Sequence, residues 1–230
     1  MKIYGIEKVS FVDYDGYTSC ILFTGACNFC CPFCQNGALV VGKLPEPISQ
    51  QEIEDYLDMR KNVLDAIVIS GGEPTIHKDL PDYIRYLKEK YNYKIKLDTN
   101  GSNPKMLKEL VEDKLVDYVA MDVKNSLDDY DITIGIENYD TSKVKESIDY
   151  LLEGHVDYEF RTTLIFEAHS KKNIEDIAKL IKGAKRYYLQ KFDDKGGNIA
   201  EGLTQISRKT AEGFLEIVKP NVEFVELRGY

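Results

Sequence analysis

Two hydrophobic periods alternate along this chain. Short apolar runs that read as buried strands are followed by stretches whose apolar residues recur at helical spacing. Residues 2–11 and 17–24 open the pattern as two strands. Ile3, Ile6, Val9 and Phe11 are apolar in the first, and Asp13-Tyr14-Asp15-Gly16 is a turn between them. The run Thr18 to Thr24 leads straight into Gly25-Ala26-Cys27. Gln35-Asn36-Gly37 and a polar link from Lys43 to Pro47 follow. Ser49-x-x-Glu52 then reads as a capping box opening a helix with Ile53, Tyr56 and Leu57 in register. Strands are predicted at Asp65–Ser70, Lys94–Thr99, Tyr118–Lys124, Asp157–Ile165 and Arg186–Gln190, with a last one at Val222–Leu227. Helices fall between them at 80–91, Pro104–Asp113, Thr141–Glu153, 172–182 and 207–218. Residues 126–140 read as polar and irregular, and Asp193-Asp194-Lys195-Gly196-Gly197-Asn198 as a loop.

Strand–helix alternation implies a parallel sheet with right-handed crossovers. Roughly six βα units fit between residues 18 and 218, fewer than the eight of a closed barrel. The expected fold class is therefore α/β, a partial, open barrel with an N-terminal β-hairpin extension. With no linker or repeat to divide it, the chain reads as one domain over 1–230. Residues 1–17 are a strand extension, 18–218 the partial barrel and 219–230 a C-terminal strand or tail. In such folds the site lies at the C-terminal ends of the strands. The polar signals fall there: the cysteine loop, Gly71-Gly72-Glu73-Pro74, Asp98-Thr99-Asn100-Gly101, Asp122 with Lys124, Arg161, and Gln190.

Composition narrows the classes. The 230 residues are 43% hydrophobic, ordinary for a globular protein, and carry a net charge of −9, which speaks against nonspecific nucleic-acid binding. No apolar run is long enough for a membrane helix, and the N-terminus has no signal-like apolar core, so no membrane is expected and the expectation is a cytoplasmic protein. In a reducing compartment the 5 cysteines point to metal or catalysis rather than disulfides.

Cys27, Cys30, Cys31 and Cys34 cluster in Cys27-Asn-Phe-Cys30-Cys31-Pro-Phe-Cys34. Cys27, Cys31 and Cys34 have the spacing C-x3-C-x2-C, and three thiolates on one loop can hold three irons of a [4Fe–4S] cluster, leaving the fourth open. Cys27-Cys30-Cys34 is a second set compatible with the spacing. The competing chemistry is zinc, which needs a fourth ligand at paired spacing; mid-strand Cys20 and Cys30, adjoining Cys31, serve it poorly.

Thr24-Gly25-Ala26-Cys27-x3-Cys31-x2-Cys34-Gln35-Asn36 resembles the signature of the radical S-adenosylmethionine superfamily. The resemblance selects Cys27, Cys31 and Cys34 as cluster ligands, makes Cys30 a bystander, and matches Phe33 to the aromatic before the last cysteine. It implies the superfamily's partial (β/α)6 barrel, with S-adenosylmethionine chelating the open iron through its methionyl amino and carboxylate groups. Alone, Gly71-Gly72 is a tight turn. By resemblance Gly71, Gly72, Glu73 and Pro74 bind the methionyl amino group. His77 reads as a helix-entry residue. Asp98-Thr99-Asn100-Gly101 and Met121-Asp122-Val123-Lys124 are similar to motifs of glycyl-radical-enzyme activases. There Lys124 contacts the cofactor carboxylate, while Asp98, Thr99, Asp122 and the carbonyl of Ala120 enclose a monovalent cation, an oxygen cage suited to a hard ion. Asn100 and Gln190 join the cofactor contacts. Arg161 reads either as a structural ion pair or as a contact to cofactor carboxylate or substrate.

Over most of the chain the resemblance is to anaerobic ribonucleoside-triphosphate reductase activating proteins. It implies a glycyl-radical enzyme, anaerobic ribonucleotide reductase, as partner and an external low-potential donor of flavodoxin or ferredoxin type. Two positions depart from the pyruvate formate-lyase activase: Gln35 stands where it carries His, and Gln190-Lys191-Phe192 lacks its nearby cofactor-binding His. Gln35 to Ser70 leaves no room for an inserted ferredoxin domain. The competing functions are activation of another glycyl-radical enzyme, radical chemistry on a small molecule, and a non-enzymatic iron–sulfur carrier or zinc module.

Overall fold

The computed structural model describes residues 1–194 and 196–230; Lys195, within the expected 193–198 loop, lies outside the described residues. Among the described residues, eight strands form one sheet in the order β1 to β8. β1 (Ile3–Ser10) runs antiparallel to β2 (Ser19–Thr24). The rest are parallel: β3 (Ala66–Gly71), β4 (Lys94–Thr99), β5 (Tyr118–Asp122), β6 (Asp157–Leu164), β7 (Arg186–Lys191) and β8 (Phe224–Arg228). The helices are α1 (Gly37–Val40), α2 (Gln50–Arg60), α3 (Leu80–Tyr91), α4 (Pro104–Glu112), α5 (Tyr130–Ile134), α6 (Ser142–Leu152), α7 (Lys171–Leu180) and α8 (Arg208–Val218).

The strand order never reverses, so every right-handed crossover returns its helix to the same side of the sheet. A sheet clothed on one side curls instead of being doubly wound. β1 and β8 remain unpaired with each other, which leaves the barrel open. The helix side is apolar: Ile67, Ile69, Leu97, Val119, Phe160 and Leu189 join one core with Ile53, Leu57, Ile84, Leu87, Leu107, Ile148 and Ile177. Each fully buried side chain of this size contributes roughly 1.5–3 kcal/mol. Because side chains alternate along a strand, the intervening positions face away from the helices, and from β4 onward many are charged.

The floor of that second face is closed by the β1–β2 turn. Tyr14 packs on Ile21, Ala66 and Val68, and buried Lys96 donates to the Asp13 carbonyl. Lys96 Nζ also lies 3.7 Å from buried Glu159, which pairs with Arg228 of β8 at 2.9 Å.

The expected elements are present, with two additions. α1 and α5 are single turns in stretches that carry no helical period. α5 begins within the acidic run Asp128-Asp129-Tyr130-Asp131 and is ended by Gly135 at φ 69. The Ser49–Glu52 capping box forms as expected. A second joins Ser170 and Asn173 at the start of α7, with Asn in the place where Glu or Gln is the usual signal. Lys124 lies two residues beyond the end of β5 rather than on the strand.

Candidate active site

The cysteine loop leaves β2 and is seated on the end of β3. Gly72 N donates to Thr24 O at 2.9 Å, Glu73 N to Ala26 O at 2.9 Å, and Ala26 N to Leu39 O at 2.7 Å. Asn36 Nδ2 closes the loop by donating to Gly71 O at 2.9 Å. This seat explains the glycine pair. A β-carbon on Gly71, at φ +115, would lie 2.3 Å from Thr24 O, and one on Gly72 would lie 1.8 Å from Ala26 O. His77 is more than a helix-entry residue, since its Nε2 sits 2.9 Å from Gly25 O and ties the loop from below.

On the other side Phe29 sets its ring edge-on to Tyr139 and Tyr130, at 5.1 and 6.3 Å between centroids. The Cys30 amide donates to Ile134 O at 2.9 Å, fixing Cys30 against α5. Cys27, Cys31 and Cys34 line one cavity of about 220 Å³, and Cys30 is absent from its wall. Among the described residues, no three Cys, His, Asp or Glu side chains converge closely enough to hold a single metal ion. Burial pushes the Cys27 thiol up to about 12 and the Cys31 thiol up to about 11; the Lys124 ammonium pulls the other way on both. Burial likewise raises Cys34. Cys27 Sγ accepts from Phe29 N at 3.3 Å and from Asn100 Nδ2 at 3.8 Å.

The opposite wall carries the strand-end motifs. Gly71, Gly72, Glu73, Asp98, Thr99 and Asn100 line it, followed by Asp122, Lys124, Arg161 and Gln190. Phe33 completes the floor under Lys124, whose Nζ is 5.9 Å from its ring centre. Two expected site residues are not on the wall: Pro74, buried at the start of a short turn, and Ala120, buried within β5. Glu73 lines the cavity, and its carboxylate is also bonded within the fold. Its carboxylate accepts from Thr75 N at 3.0 Å, Thr75 Oγ1 at 2.5 Å, Thr99 Oγ1 at 2.8 Å and Asn100 N at 2.6 Å. It knits the ends of β3 and β4 together.

Arg161 spans the two acidic strand ends. Its Nε donates to Asp122 Oδ1 at 2.8 Å and its Nη1 to Asp98 Oδ1 at 3.3 Å. Lys124 Nζ donates to Asp122 Oδ2 at 2.9 Å, and Ser70 Oγ to Asp98 Oδ2 at 3.0 Å. Burial would raise the Asp122 carboxyl, but the Arg161 guanidinium and Lys124 ammonium outweigh it and hold it down to about 2. Lys124 is itself positioned through its backbone, its amide donating to Tyr130 Oη at 3.3 Å and its carbonyl meeting His169 Nε2 at 2.9 Å.

Sequence reasoning missed Ser70, Asn36, Thr163 and Gln35 on the wall. The first two were legible in principle as polar residues flanking the recognised motifs. Gln35, Thr163 and Gln190 also line an adjoining cleft with Lys191, Arg228 and Gly229, so the cavity opens toward the β7–β8 side.

A partial barrel with three cysteines and a lysine–arginine pair around one rim cavity defines a class, and comparison with known proteins agrees. Over 195 residues the chain is 37% identical to a Methanocaldococcus jannaschii protein provisionally named glycyl-radical enzyme activating enzyme MJ1227, covering 83% of this chain and 80% of that one. Among solved structures, a domain of pyruvate-formate lyase-activating enzyme from Bacteroides vulgatus superposes with TM-score 0.58 at 17% identity, over 71% of this chain and 99% of that domain. Streptococcus suis SuiB bound to S-adenosylmethionine gives TM-score 0.68 at 15% identity, over 91% of this chain and 52% of SuiB. At these identities the structural likeness bears on fold alone. The family model of the Radical SAM superfamily matches residues 21–182. The chain belongs to that superfamily and is an enzyme, and the family implies a [4Fe–4S] cluster and S-adenosylmethionine. No helix among the described residues is long and apolar enough to cross a membrane.

Proposed function

We propose that this enzyme installs a glycyl radical on a partner protein, and that the partner is anaerobic ribonucleotide reductase. The observation that carries the reading is the shared cavity of Cys27, Cys31 and Cys34 with Lys124 and Arg161 facing them. Three thiols spread around a wall suit a cluster, each of whose irons takes one thiolate, better than a single tetrahedral ion. Bound there, a [4Fe–4S] cluster with S-adenosylmethionine supplies one-electron cleavage of the sulfonium and a hydrogen-abstracting 5′-deoxyadenosyl radical.

The chain's own residues do the positioning. Cys27, Cys31 and Cys34 would ligate the cluster as thiolates, and because burial holds their protons, loading would have to release them. The Lys124 ammonium on the cavity wall offers a cation to a ligand carboxylate, and the Gly71 and Gly72 main chain is there for a ligand ammonium. Asn100 and the Phe29 amide donate to the Cys27 sulfur, a contact that tunes an iron–sulfur centre. The cleft beyond Gln35, Thr163 and Gln190 is where an extended peptide from the partner enters. The electron comes from an external low-potential protein of flavodoxin or ferredoxin type. The relative provisionally named a glycyl-radical enzyme activating enzyme supports the activase reading.

After anaerobic reconstitution, about four irons per chain, reductive release of 5′-deoxyadenosine and a glycyl doublet in the electron paramagnetic resonance spectrum of added anaerobic ribonucleotide reductase are expected. With the irons confirmed, absence of 5′-deoxyadenosine rejects the chemistry. A doublet on a different glycyl-radical enzyme reassigns the partner. Release that depends on a small molecule instead rejects the activase reading. Cys31→Ala should abolish iron loading and Cys30→Ala should leave it; the reverse overturns the ligand set.

A further inference from the structure

The acidic ends of β4 and β5 are the place where resemblance implies a monovalent cation, and the residues there do not fit one. All four oxygens of Asp98 and Asp122 already have a donor. Asp98 Oδ1 accepts from Arg161 Nη1 and Oδ2 from Ser70; Asp122 Oδ1 accepts from Arg161 Nε and Oδ2 from Lys124. Lys96 Nζ stands a further 4.0 Å from Asp98 Oδ1. Thr99, the third member of the expected cage, donates its hydroxyl to Glu73 and accepts from Gly101 N. Lys96 is shared with Glu159 at 3.7 Å, and apart from it the two carboxylates face two side-chain cations, Arg161 and Lys124, so their charge is balanced without an added ion. A dehydrated metal ion would have to displace a guanidinium and then sit beside it, where like charges in a poorly solvated site repel strongly.

Register makes the arrangement a property of the fold. Asp122 and Arg161 are direct neighbours on β5 and β6, and Asp98 pairs with Ala120 on β4 and β5. Arg161 therefore starts beside one carboxylate and reaches across a strand to the other, with its side chain only 12% exposed. A guanidinium offers several donors in one plane, enough to hold both acids at once.

We propose that Arg161 is a built-in counterpart of the monovalent cation: it holds Asp98 and Asp122 in place, so that this enzyme's ligand pocket works without potassium or sodium. The inference rests on the reading that the pocket holds S-adenosylmethionine, but one of its tests does not.

That test is the unfolding midpoint of the iron-loaded protein without S-adenosylmethionine, measured in potassium, in sodium, and with tetramethylammonium as sole cation. The wild type should unfold at the same temperature in all three. Arg161→Ala leaves two partly buried carboxylates short of a partner. It should be less stable in tetramethylammonium and recover roughly 2–4 °C or more in potassium, while Arg161→Lys should stay indifferent. The companion measurement is S-adenosylmethionine affinity in the same buffers. The wild type should vary less than about twofold, and Arg161→Ala should weaken on the order of tenfold or more in tetramethylammonium and regain affinity with potassium. A wild type that needs potassium for stability or for binding overturns the proposal, as does an Arg161→Ala protein that potassium does not rescue in either readout. If Arg161→Ala does not fold, Arg161→Lys and the wild type decide alone: cation dependence in either overturns it. Failure of the wild type to bind S-adenosylmethionine in every buffer would count against the functional reading, and the unfolding series would still judge Arg161.

Discussion

Gly72 shows how a residue can be required for a reason the sequence does not display. In the sequence, Gly71-Gly72 is a turn and, by resemblance, a ligand-binding backbone. In the fold it is also the groove in which the cysteine loop lies, because a β-carbon at Gly72 would sit 1.8 Å from Ala26 O. Ala26 is the residue before Cys27, and its φ of 64 already places it in the left-handed region. Gly72→Ala must therefore push the loop off β3, breaking the Gly72–Thr24 and Glu73–Ala26 hydrogen bonds. The expected cost is about 1–3 kcal/mol of stability, the range for overpacking a close contact, together with loss of most iron loading. Denaturant unfolding and iron content measure the two effects. Normal iron content in a folded Gly72→Ala protein would show that the groove does not set the ligand geometry. Cys30 and Cys31 are another case at this scale. Spacing leaves both open, and the fold separates them, since the Cys30 amide is tied to Ile134 of α5 while Cys31 lies on the cavity wall. α5 itself is one turn in a polar stretch, too short to give a period, so the physical basis of a distinction that only resemblance supplied could not be read from the chain.

At the scale of elements, most of the architecture was legible. β2 and β3 carry near-continuous apolar runs, whereas from β4 onward apolar residues on the helix side alternate with polar and charged residues on the other face. Helix starts were legible where Ser49 and Glu52 form a standard box, and less so where Asn173 replaces the acid. What could not be read is how elements hold one another's loops. His169, solitary in the sequence, lies in the loop between β6 and α7 and grips Lys124, two residues beyond the end of β5. Ile165 N can only donate, so His169 Nδ1, 3.1 Å away, accepts. The proton is then on Nε2, which donates to Lys124 O at 2.9 Å. Burial lowers the His169 pKa, opposed in part by the Lys124 and Ile165 carbonyls, which would accept from a protonated ring. The sign follows. As pH falls below the unfolded value of about 6.5, the unfolded chain gains a proton that the folded chain refuses, so stability declines with acidification toward the folded value. His169→Gln keeps a donor toward Lys124 and removes the titration. It should be less stable than wild type at pH 8 by about 1 kcal/mol, one hydrogen bond, yet lose less on going from pH 7 to pH 5. Parallel unfolding curves for the two proteins across that interval would refute the assignment.

For the whole molecule, the face turned from the helices divides into a floor and a rim that share strands but differ in task. The rim holds the cysteines, Lys124 and Arg161. The floor holds Lys96 and Glu159, both nearly inaccessible, with Arg228 of β8 and Tyr118 completing the set around the Glu159 carboxylate at 2.9 and 3.0 Å. Burial would raise Glu159, and Lys96, Arg161 and Arg228 together hold it low. Because Glu159 is on β6, Lys96 on β4 and Arg228 on β8, this one acid joins most of the width of an open sheet whose edges do not meet. Its charge could not be assigned from the chain, where Glu159 reads as one polar position in a strand; only the curl of the sheet brings the three elements together. Removing one partner from a buried ionic set leaves the others desolvated and unpaired, at a cost of about 3–5 kcal/mol. Glu159→Ala should therefore destabilise the protein by that amount. Glu159→Gln, which keeps the shape and two hydrogen-bonding atoms, should cost less. Neither change touches the rim cavity. Glu159→Gln that still folds should thus bind S-adenosylmethionine within about twofold of wild type, a difference of well under 1 kcal/mol, while its unfolding midpoint drops. A Glu159→Gln protein with unchanged stability and weakened ligand binding would reverse the division, placing the floor in the binding machinery and leaving the open sheet to be held by its helices alone.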